Sequence, residues 1–293
     1  MKISGTFTAL VTPFSAAEGA PIDWTAFDTL LDAQIAAKIT GVVPCGTTGE
    51  SPSLHAEEQR ELVLRTVAKA KGKALVIAGT GSPSTEHAIA LARAAEKAGA
   101  DAVMVVVPYY NKPTQAGLRQ HFVDISRSVK CPVVIYNIPG RTGVDLVPET
   151  LASILEAAPN VTAVKEATGN VLRAQELVRR FGDRLAVLSG DDLLTLPMIA
   201  VGACGVISVA SNVLPARVVR ATKLAMEGKM DEARRAHLEL LPMFEAMFIE
   251  ANPGPAKAAL AHLGLLENVL RGPMVPVTET SRQKIIAALE ASQ

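Results

Sequence analysis

The amino-acid sequence predicts a (β/α)8 barrel, the TIM-barrel form of the α/β class. Eight short apolar runs alternate with eight amphipathic or alanine-rich stretches. The apolar runs are bounded by Gly and Pro and are apolar at successive positions, which is typical of strands buried on both faces. Eight such units in strict alternation are the pattern of a closed parallel barrel surrounded by helices.

The predicted strands occupy residues 7–11, 41–44, 74–78, 102–107, 133–136, 161–165, 185–188 and 206–209. The predicted helices occupy residues 24–38, 57–71, 85–97, 115–129, 148–157, 170–180, 193–201 and 215–226. An open doubly wound sheet is the rival arrangement, and it requires a glycine-rich phosphate-binding turn after the first strand. Because Thr12-Pro13-Phe14 stands at that place, the closed barrel is favoured.

The barrel pattern ends near Gly228, and only helical patterns follow it, at residues 231–249, 254–262 and 278–290. We therefore expect two domains. Residues 1–228 form the catalytic barrel, and residues 229–293 form a C-terminal helical domain that packs on the barrel or on a neighbouring subunit.

The composition excludes several classes of partner. The chain has 29 basic and 29 acidic side chains, so its net charge is zero, and we expect neither nucleic acid nor an acidic membrane surface as a partner. The sequence contains no apolar stretch long enough to span a bilayer, and its N-terminus lacks the pattern of a signal peptide. The three cysteines lie far apart in sequence, as in a reduced protein, and we predict a cytoplasmic location.

In a (β/α)8 barrel the catalytic groups lie at the carboxyl ends of the strands. The side chains predicted there are polar, and many carry hydroxyls: Thr12, Thr47, Thr48, Glu50, Tyr109, Tyr110, Asn111, Tyr136, Asn137, Lys165, Glu166, Ser189, Asp191 and Ser208. They include no His and no group with the spacing of metal ligands. We predict a reaction that uses neither a metal nor a cofactor.

Lys165 ends an apolar run, where burial of its cation is costly and its pKa is expected to fall. Tyr136 ends the preceding run and supplies a phenol. A neutral amine beside a proton-shuttling phenol can condense with a ketone, so the pair indicates a Schiff-base enzyme. The alternatives are a structural lysine that reaches solvent or pairs with Glu166, and a buried core tyrosine.

Two further features suit small carboxylates. The turn Gly46-Thr47-Thr48-Gly49 offers adjacent N–H groups and two hydroxyls that suit a small anion, although it can equally be a tight turn that caps the next helix. Arg141 follows Gly140 and can bind a second carboxylate through two parallel hydrogen bonds, or it is a solvated loop arginine.

At these positions the chain closely resembles the dihydrodipicolinate synthase family (4-hydroxy-tetrahydrodipicolinate synthases) of the pyruvate-dependent N-acetylneuraminate lyase superfamily. The resemblance covers essentially the whole chain. It is carried by the segments GTTGES at 46–51, PYYNKP at 108–113, YNIPGRT at 136–142, KEATG at 165–169 and GVIS at 205–208. Arg141 is the more discriminating residue, because sialic-acid lyases usually lack it.

The resemblance implies a Schiff-base-forming lyase of lysine and diaminopimelate biosynthesis, which condenses pyruvate with L-aspartate 4-semialdehyde. Lys165 would form the imine with pyruvate, and Tyr136 would move protons to and from the adduct. Thr47 would connect Tyr136 to Tyr110 in a proton relay. In the family the tyrosine that matches Tyr110 is lent across a dimer interface, and the family is typically a homotetramer built from two tight dimers.

The resemblance also implies the substrate-binding residues. Thr48 would hold the pyruvate carboxylate, with the backbone of Ile207 in the same pocket, and Gly190 lies at a neighbouring strand end. Arg141 would bind the carboxylate of the semialdehyde. Two other functions stay open: a lyase or dehydratase that acts on a longer 2-keto acid through the same imine, and a catalytically silent barrel that only binds a keto acid or a partner protein.

Lysine-inhibited members of the family carry a regulatory pocket at the subunit interface. The matching positions here hold Ala56, Gln59, Pro83 and His87, although Tyr109 remains. Pro83 cannot offer the amide of an asparagine, and His87 does not attract an ammonium group as a glutamate does. The sequence therefore predicts weak or absent inhibition by lysine.

Overall fold

Eight parallel strands form one closed barrel, in which each strand pairs with its neighbours in sequence and the last pairs with the first. The computed structural model describes residues 3–292. The strands are β1 (Gly5–Ala9), β2 (Gly41–Val43), β3 (Leu75–Gly79), β4 (Ala102–Val106), β5 (Val133–Asn137), β6 (Val161–Glu166), β7 (Ala186–Ser189) and β8 (Gly205–Ser208). All eight predicted strands are present, so the predicted barrel is confirmed.

Helices surround the barrel, and three more complete the chain. They are α1 (Trp24–Ala36), α2 (Ala56–Ala70), α3 (Thr85–Lys97), α4 (Gln115–Ser128), α5 (Pro139–Thr142), α6 (Pro148–Ala157), α7 (Val171–Phe181), α8 (Thr195–Ala200), α9 (Pro215–Met226), α10 (Met230–Ala246), α11 (Gly254–His262) and α12 (Glu279–Ala291). The sequence pattern does not predict α5, because it is a single turn between Pro139 and the left-handed Gly143. Among residues 3–292, none of the helices combines the length and the apolar character needed to cross a bilayer.

Both faces of the strands are buried, which explains why the apolar runs are uninterrupted. One apolar cluster fills the inside of the barrel and includes Phe7, Val43, Ile77, Met104, Val134, Tyr136, Ala163, Leu188 and Ile207. A second cluster lies between the barrel and its helices. Since successive strand residues point to opposite faces, Val134 and Tyr136 face inward while Val133 and Ile135 face the helices. The phenol of Tyr136 therefore belongs to the inner layer of the barrel.

The C-terminal helices share an apolar core with one side of the barrel. This cluster joins Leu30 of α1 and Val218 of α9 to Phe244 of α10 and Ile285 of α12. Gly228, with a φ of +74°, lies in the turn between α9 and α10. The division of the chain after residue 228 stays a prediction, and the shared cluster shows that the helices on its two sides pack together.

A glycine at the end of β3 makes room for the turn that follows β2. A Cβ atom on Gly79 would lie 2.1 Å from the carbonyl oxygen of Cys45 and 2.9 Å from the backbone nitrogen of Gly46. Both separations are too short for non-bonded atoms. Any side chain at position 79 therefore displaces the turn that carries Thr47 and Thr48.

We expect Gly79→Ala to lower the free energy of unfolding by about 1–3 kcal/mol, because overpacking against backbone atoms forces the chain to shift. The thermal unfolding midpoint, followed by circular dichroism, measures the change. Gly140→Ala is the matched control, since a Cβ atom at that helical glycine meets no atom within 4 Å. Equal midpoints for the two variants would contradict the steric argument.

Candidate active site

Lys165 and Tyr136 lie side by side at the carboxyl end of the barrel. They are direct partners in the register of β5 and β6. The Lys165 Nζ atom lies 4.1 Å from the centroid of the Tyr136 ring. Lys165 is 4% exposed and Tyr136 is 5% exposed. The structure thus brings the predicted amine and phenol together in a buried place.

The surroundings of the Lys165 amine favour its neutral form. Burial lowers its pKa to about 8, Arg141 contributes to the fall, and the charge of Asp192 opposes it. Glu166 points elsewhere, because its Oε1 accepts from the Thr168 backbone and its Oε2 accepts from the Asn137 amide. Among the described residues, no acidic side chain forms an ion pair with Lys165. A substantial fraction of this amine is therefore neutral just above neutral pH, as nucleophilic attack requires.

The Tyr136 phenol stays protonated. Burial raises its pKa to about 12, although a hydrogen bond with Thr47 and the positive charge of Arg141 oppose the rise. A protonated phenol beside the amine can give a proton to a departing group and take it back. Its contact with Thr47 continues the hydroxyl chain away from Lys165.

The turn over residues 46–50 follows β2 and carries two adjacent threonines. Its backbone is folded by hydrogen bonds from the Gly49 and Ser51 N–H groups to the Gly46 carbonyl, at 3.1 Å and 3.3 Å. Thr48 is buried, and its Oγ1 accepts a hydrogen bond of 3.0 Å from the Asn252 side-chain amide. The turn does not cap α2.

The cap of α2 is formed by other residues. The His55 backbone N–H donates to Glu58 Oε2 at 2.9 Å, which is half of a capping box at the start of that helix. This leaves the 46–50 turn free to serve the barrel mouth, where Thr48 lies beside residues of the C-terminal segment.

Arg141 lies on α5, immediately beyond the end of β5. Its guanidinium donates to the backbone carbonyl of Asn252 at 3.4 Å. Together with Thr47, Asn252 and Arg271 it lines a cavity of about 200 Å³ between the barrel mouth and the C-terminal segment. The side chain is otherwise exposed, so its donors face an open space that accommodates a small carboxylate.

Gly190 follows β7, the strand beside β6, and lies against the side chain of Lys165. A Cβ atom on Gly190 would lie 3.2 Å from Lys165 Cε and 2.7 Å from Ala167 Cβ, so the absence of a side chain lets the lysine stem pass. Ile207 is fully buried in β8 and belongs to the inner cluster.

Tyr110 stands apart from these residues in a single chain. Its side chain is 92% exposed, and its backbone has a left-handed φ of +72°. Within residues 3–292, no hydrogen bond joins it to Thr47. The relay between Thr47 and Tyr110 across a dimer interface stays a prediction.

Two site residues escape the sequence argument. Asp192 is buried behind Lys165, and its Oδ2 accepts from the Val209 and Ala210 backbone N–H groups at 2.9 Å and 3.0 Å. Asn252 contacts both Thr48 and Arg141. The sequence gives only weak signals for these two residues: Asp192 follows Asp191, and Asn252 lies in a proline-rich turn that resembles a helix break.

The arrangement of side chains in the part of the chain that the structure describes bears on metal binding. No group of three His, Cys, Asp or Glu side chains is arranged there to hold a metal ion. The charged groups that act on Lys165 are the Asp192 carboxylate and the Arg141 guanidinium, and a guanidinium binds carboxylates rather than metals.

A parallel barrel with a buried lysine at its carboxyl end, beside a phenol and not ion-paired with any acidic side chain of residues 3–292, defines the class of lysine-dependent barrel lyases. The family comparison is more specific. The model of the dihydrodipicolinate synthetase family matches residues 2–292, and the chain belongs to this family.

Relatives match over their full length. The 4-hydroxy-tetrahydrodipicolinate synthase of Sorangium cellulosum is 55% identical over 289 residues, which are 99% of this chain and 96% of the relative. The solved enzyme of that name from Methylacidiphilum fumariolicum has a TM-score of 0.97 and 45% identity, covering 99% of this chain and 96% of its own. The chloride-inhibited dihydrodipicolinate synthase from Acinetobacter baumannii, solved in complex with pyruvate, has a TM-score of 0.96 and 36% identity, covering 99% of both chains.

We expect the reactivity of Lys165 to rise with pH around a midpoint of about 8, because only the neutral amine is acylated and burial lowers its pKa to that value. An ordinary lysine has a pKa of about 10.4. Competitive labelling with trace acetic anhydride, quantified by peptide mass spectrometry, measures the midpoint. Asp192→Asn removes a charge that raises the pKa, so it should move the midpoint lower. A midpoint near that of an ordinary lysine in the parent protein would contradict the account.

Proposed function

We propose that this chain condenses pyruvate with L-aspartate 4-semialdehyde to give 4-hydroxy-tetrahydrodipicolinate. The observation that carries the proposal is the buried Lys165 amine beside Tyr136, in a member of the dihydrodipicolinate synthetase family. Its full-length relatives carry the name of that synthase, and one structural relative binds pyruvate. The alternative functions, those of a lyase or dehydratase that acts on a longer 2-keto acid, would use the same amine.

The first half of the reaction makes a carbon nucleophile. The Lys165 amine adds to the keto carbon of pyruvate, and water leaves as the imine forms. Tyr136 donates the proton that the departing hydroxyl needs and later takes one back. The imine nitrogen withdraws electrons, so the pyruvate methyl group loses a proton and becomes an enamine.

The second half joins the substrates and frees the enzyme. The enamine carbon attacks the aldehyde of the semialdehyde, forming the new carbon–carbon bond. The amine of that substrate then attacks the imine carbon and displaces Lys165, which closes the ring. Two carboxylates must be held in place: Thr48, with the Ile207 backbone, holds that of pyruvate, and Arg141 holds that of the semialdehyde.

The proposed enzyme acts as an oligomer. Tyr110 is exposed on a strained backbone, as expected for a side chain that a second copy receives. We propose a homotetramer made of two dimers, in which Tyr110 of one copy completes the relay through Thr47 of the next. Within residues 3–292 the thiols of Cys45 and Cys131 take part in no disulfide, which suits a reducing cytoplasm.

We expect pyruvate and sodium borohydride together to fix one reduced pyruvate adduct on Lys165, located by peptide mass spectrometry. Borohydride alone is the reagent control, and Lys165→Arg should lose both the adduct and activity because a guanidinium forms no imine. A coupled assay with pyruvate and the semialdehyde then identifies the second substrate. Absence of the adduct would favour the alternative of a catalytically silent barrel that only binds a keto acid. Preference for a longer keto acid would favour the lyase or dehydratase.

We expect L-lysine to inhibit weakly or not at all. Around the position of the family's regulatory pocket, the Gln59 amide donates to the Ser51 carbonyl at 3.2 Å, and His87 Nδ1 lies 3.3 Å from Ser82 Oγ. These groups are occupied within the chain, and none of them supplies a carboxylate for an ammonium group. Steady-state rates over a lysine series measure the effect. Strong inhibition would contradict the prediction; His87→Glu is the companion variant, since it adds the missing charge.

A further inference from the structure

A second buried lysine lies on α11, the second of the three C-terminal helices. The side chain of Lys257 is 0% exposed, and its Nζ forms an ion pair of 2.5 Å with Glu50 Oε1. The same nitrogen donates to the Val269 carbonyl at 2.9 Å and lies 4.1 Å from the centroid of the Phe14 ring. The ammonium group is thus held on several sides.

The partner of Lys257 is the last residue of the 46–50 turn, and a second C-terminal residue holds it as well. The other carboxylate oxygen, Glu50 Oε2, accepts from the Arg271 backbone N–H at 3.0 Å. The Arg271 guanidinium in turn bonds both carboxylate oxygens of Glu58, at 2.7 Å and 2.6 Å. The Glu50 carboxylate is therefore fixed by two contacts from the C-terminal segment.

The backbone of Glu50 is strained. Its φ is +54°, in the left-handed region, and Cys45 just before the turn has a φ of +57°. For residues other than glycine, such conformations are unfavourable and persist only where the surroundings determine them. The two contacts on the Glu50 carboxylate hold one end of the turn in this conformation.

The same C-terminal segment reaches the substrate-binding side chains. The Asn252 amide donates to Thr48 Oγ1 at 3.0 Å, which leaves the Thr48 hydroxyl hydrogen available for an anion. The Asn252 carbonyl accepts from Arg141 at 3.4 Å. Because α11 begins two residues after Asn252, the anchor at Lys257 also fixes the position of these contacts.

A buried ion pair need not add stability. Apolar side chains of similar size in its place are often neutral or stabilising, whereas removal of one partner leaves an uncompensated charge. The pair instead fixes the position of the Glu50 carboxylate, and through it the position of the 46–50 turn.

We propose that Glu50 and Lys257 are positioning residues, whose buried pair holds the turn of Thr47 and Thr48 in the geometry that binds the pyruvate carboxylate and continues the proton path from Tyr136. The proposal rests on the function proposed above. Neither residue touches the reacting atoms. The C-terminal helical segment thereby becomes part of the pyruvate site.

The test is the double variant Glu50→Gln with Lys257→Met in the full-length chain, which removes both charges and keeps both volumes. We expect it to fold, and Lys165 to be trapped by borohydride at saturating pyruvate. The KM for pyruvate should rise about 10- to 100-fold, as expected when a binding group is misplaced by about 1 Å. The matched control is Asp28→Asn with Arg65→Met, which removes a pair whose side chains are 31% and 37% exposed and which lies on α1 and α2.

Four outcomes oppose the proposal. Parent values of KM and kcat in a folded double variant would show that the pair is only structural, and an equal rise of KM in the control variant would show a general effect. Failure of the parent protein to trap pyruvate on Lys165 would overturn the proposed function, and this inference with it. Should the double variant fail to fold, Glu50→Asp decides: it keeps the charge but withdraws the carboxylate by one methylene, and parent kinetics there would overturn the proposal.

Discussion

The chemistry of this protein depends on one buried amine, that of Lys165, with which no acidic side chain of residues 3–292 forms an ion pair. Burial lowers the pKa of Lys165 and of Lys257 alike, to about 8 in each case. Their surroundings differ, because Lys257 is in contact with Glu50, whereas Lys165 faces a phenol. The Lys257 nitrogen is held by the Glu50 carboxylate and the Val269 carbonyl, whereas no acidic side chain of residues 3–292 pairs with Lys165, whose amine can attack a ketone. Depth of burial alone does not separate the two roles.

The fold follows from local sequence because each strand is buried on both faces, so each apolar run is recognisable without knowledge of its neighbours. Lys165 and Tyr136 are also recognisable, since both end such runs and parallel strands present their carboxyl ends at one rim. Contacts between distant segments are not encoded locally. The pairing of Asn252 with Thr48 joins residues 204 positions apart, and only the folded chain reveals it. Tyr110 illustrates a further limit, because its proposed partner belongs to another copy.

The barrel and the C-terminal helices contribute different parts of the candidate active site. β5 supplies the phenol of Tyr136, and β6 supplies the amine of Lys165 in register with it, over an apolar inner layer. The turn after β2 supplies the hydroxyls that suit a carboxylate, and its placement depends on residues near the end of the chain. The apolar layer lowers the local dielectric, so each of these few polar contacts has a larger effect than it would in water.

The distance in sequence between the two sides of this arrangement has a consequence for biosynthesis. Arg271 and Glu50 are separated by 221 positions, and Lys257 lies nearly as far from that turn. During translation the turn leaves the ribosome before Lys257 and Arg271 have been made, so the contacts on the Glu50 carboxylate form only after all eight barrel strands have emerged. A chain that stops short of these residues would carry the Lys165 amine but lack the contacts that hold the turn of Thr47 and Thr48.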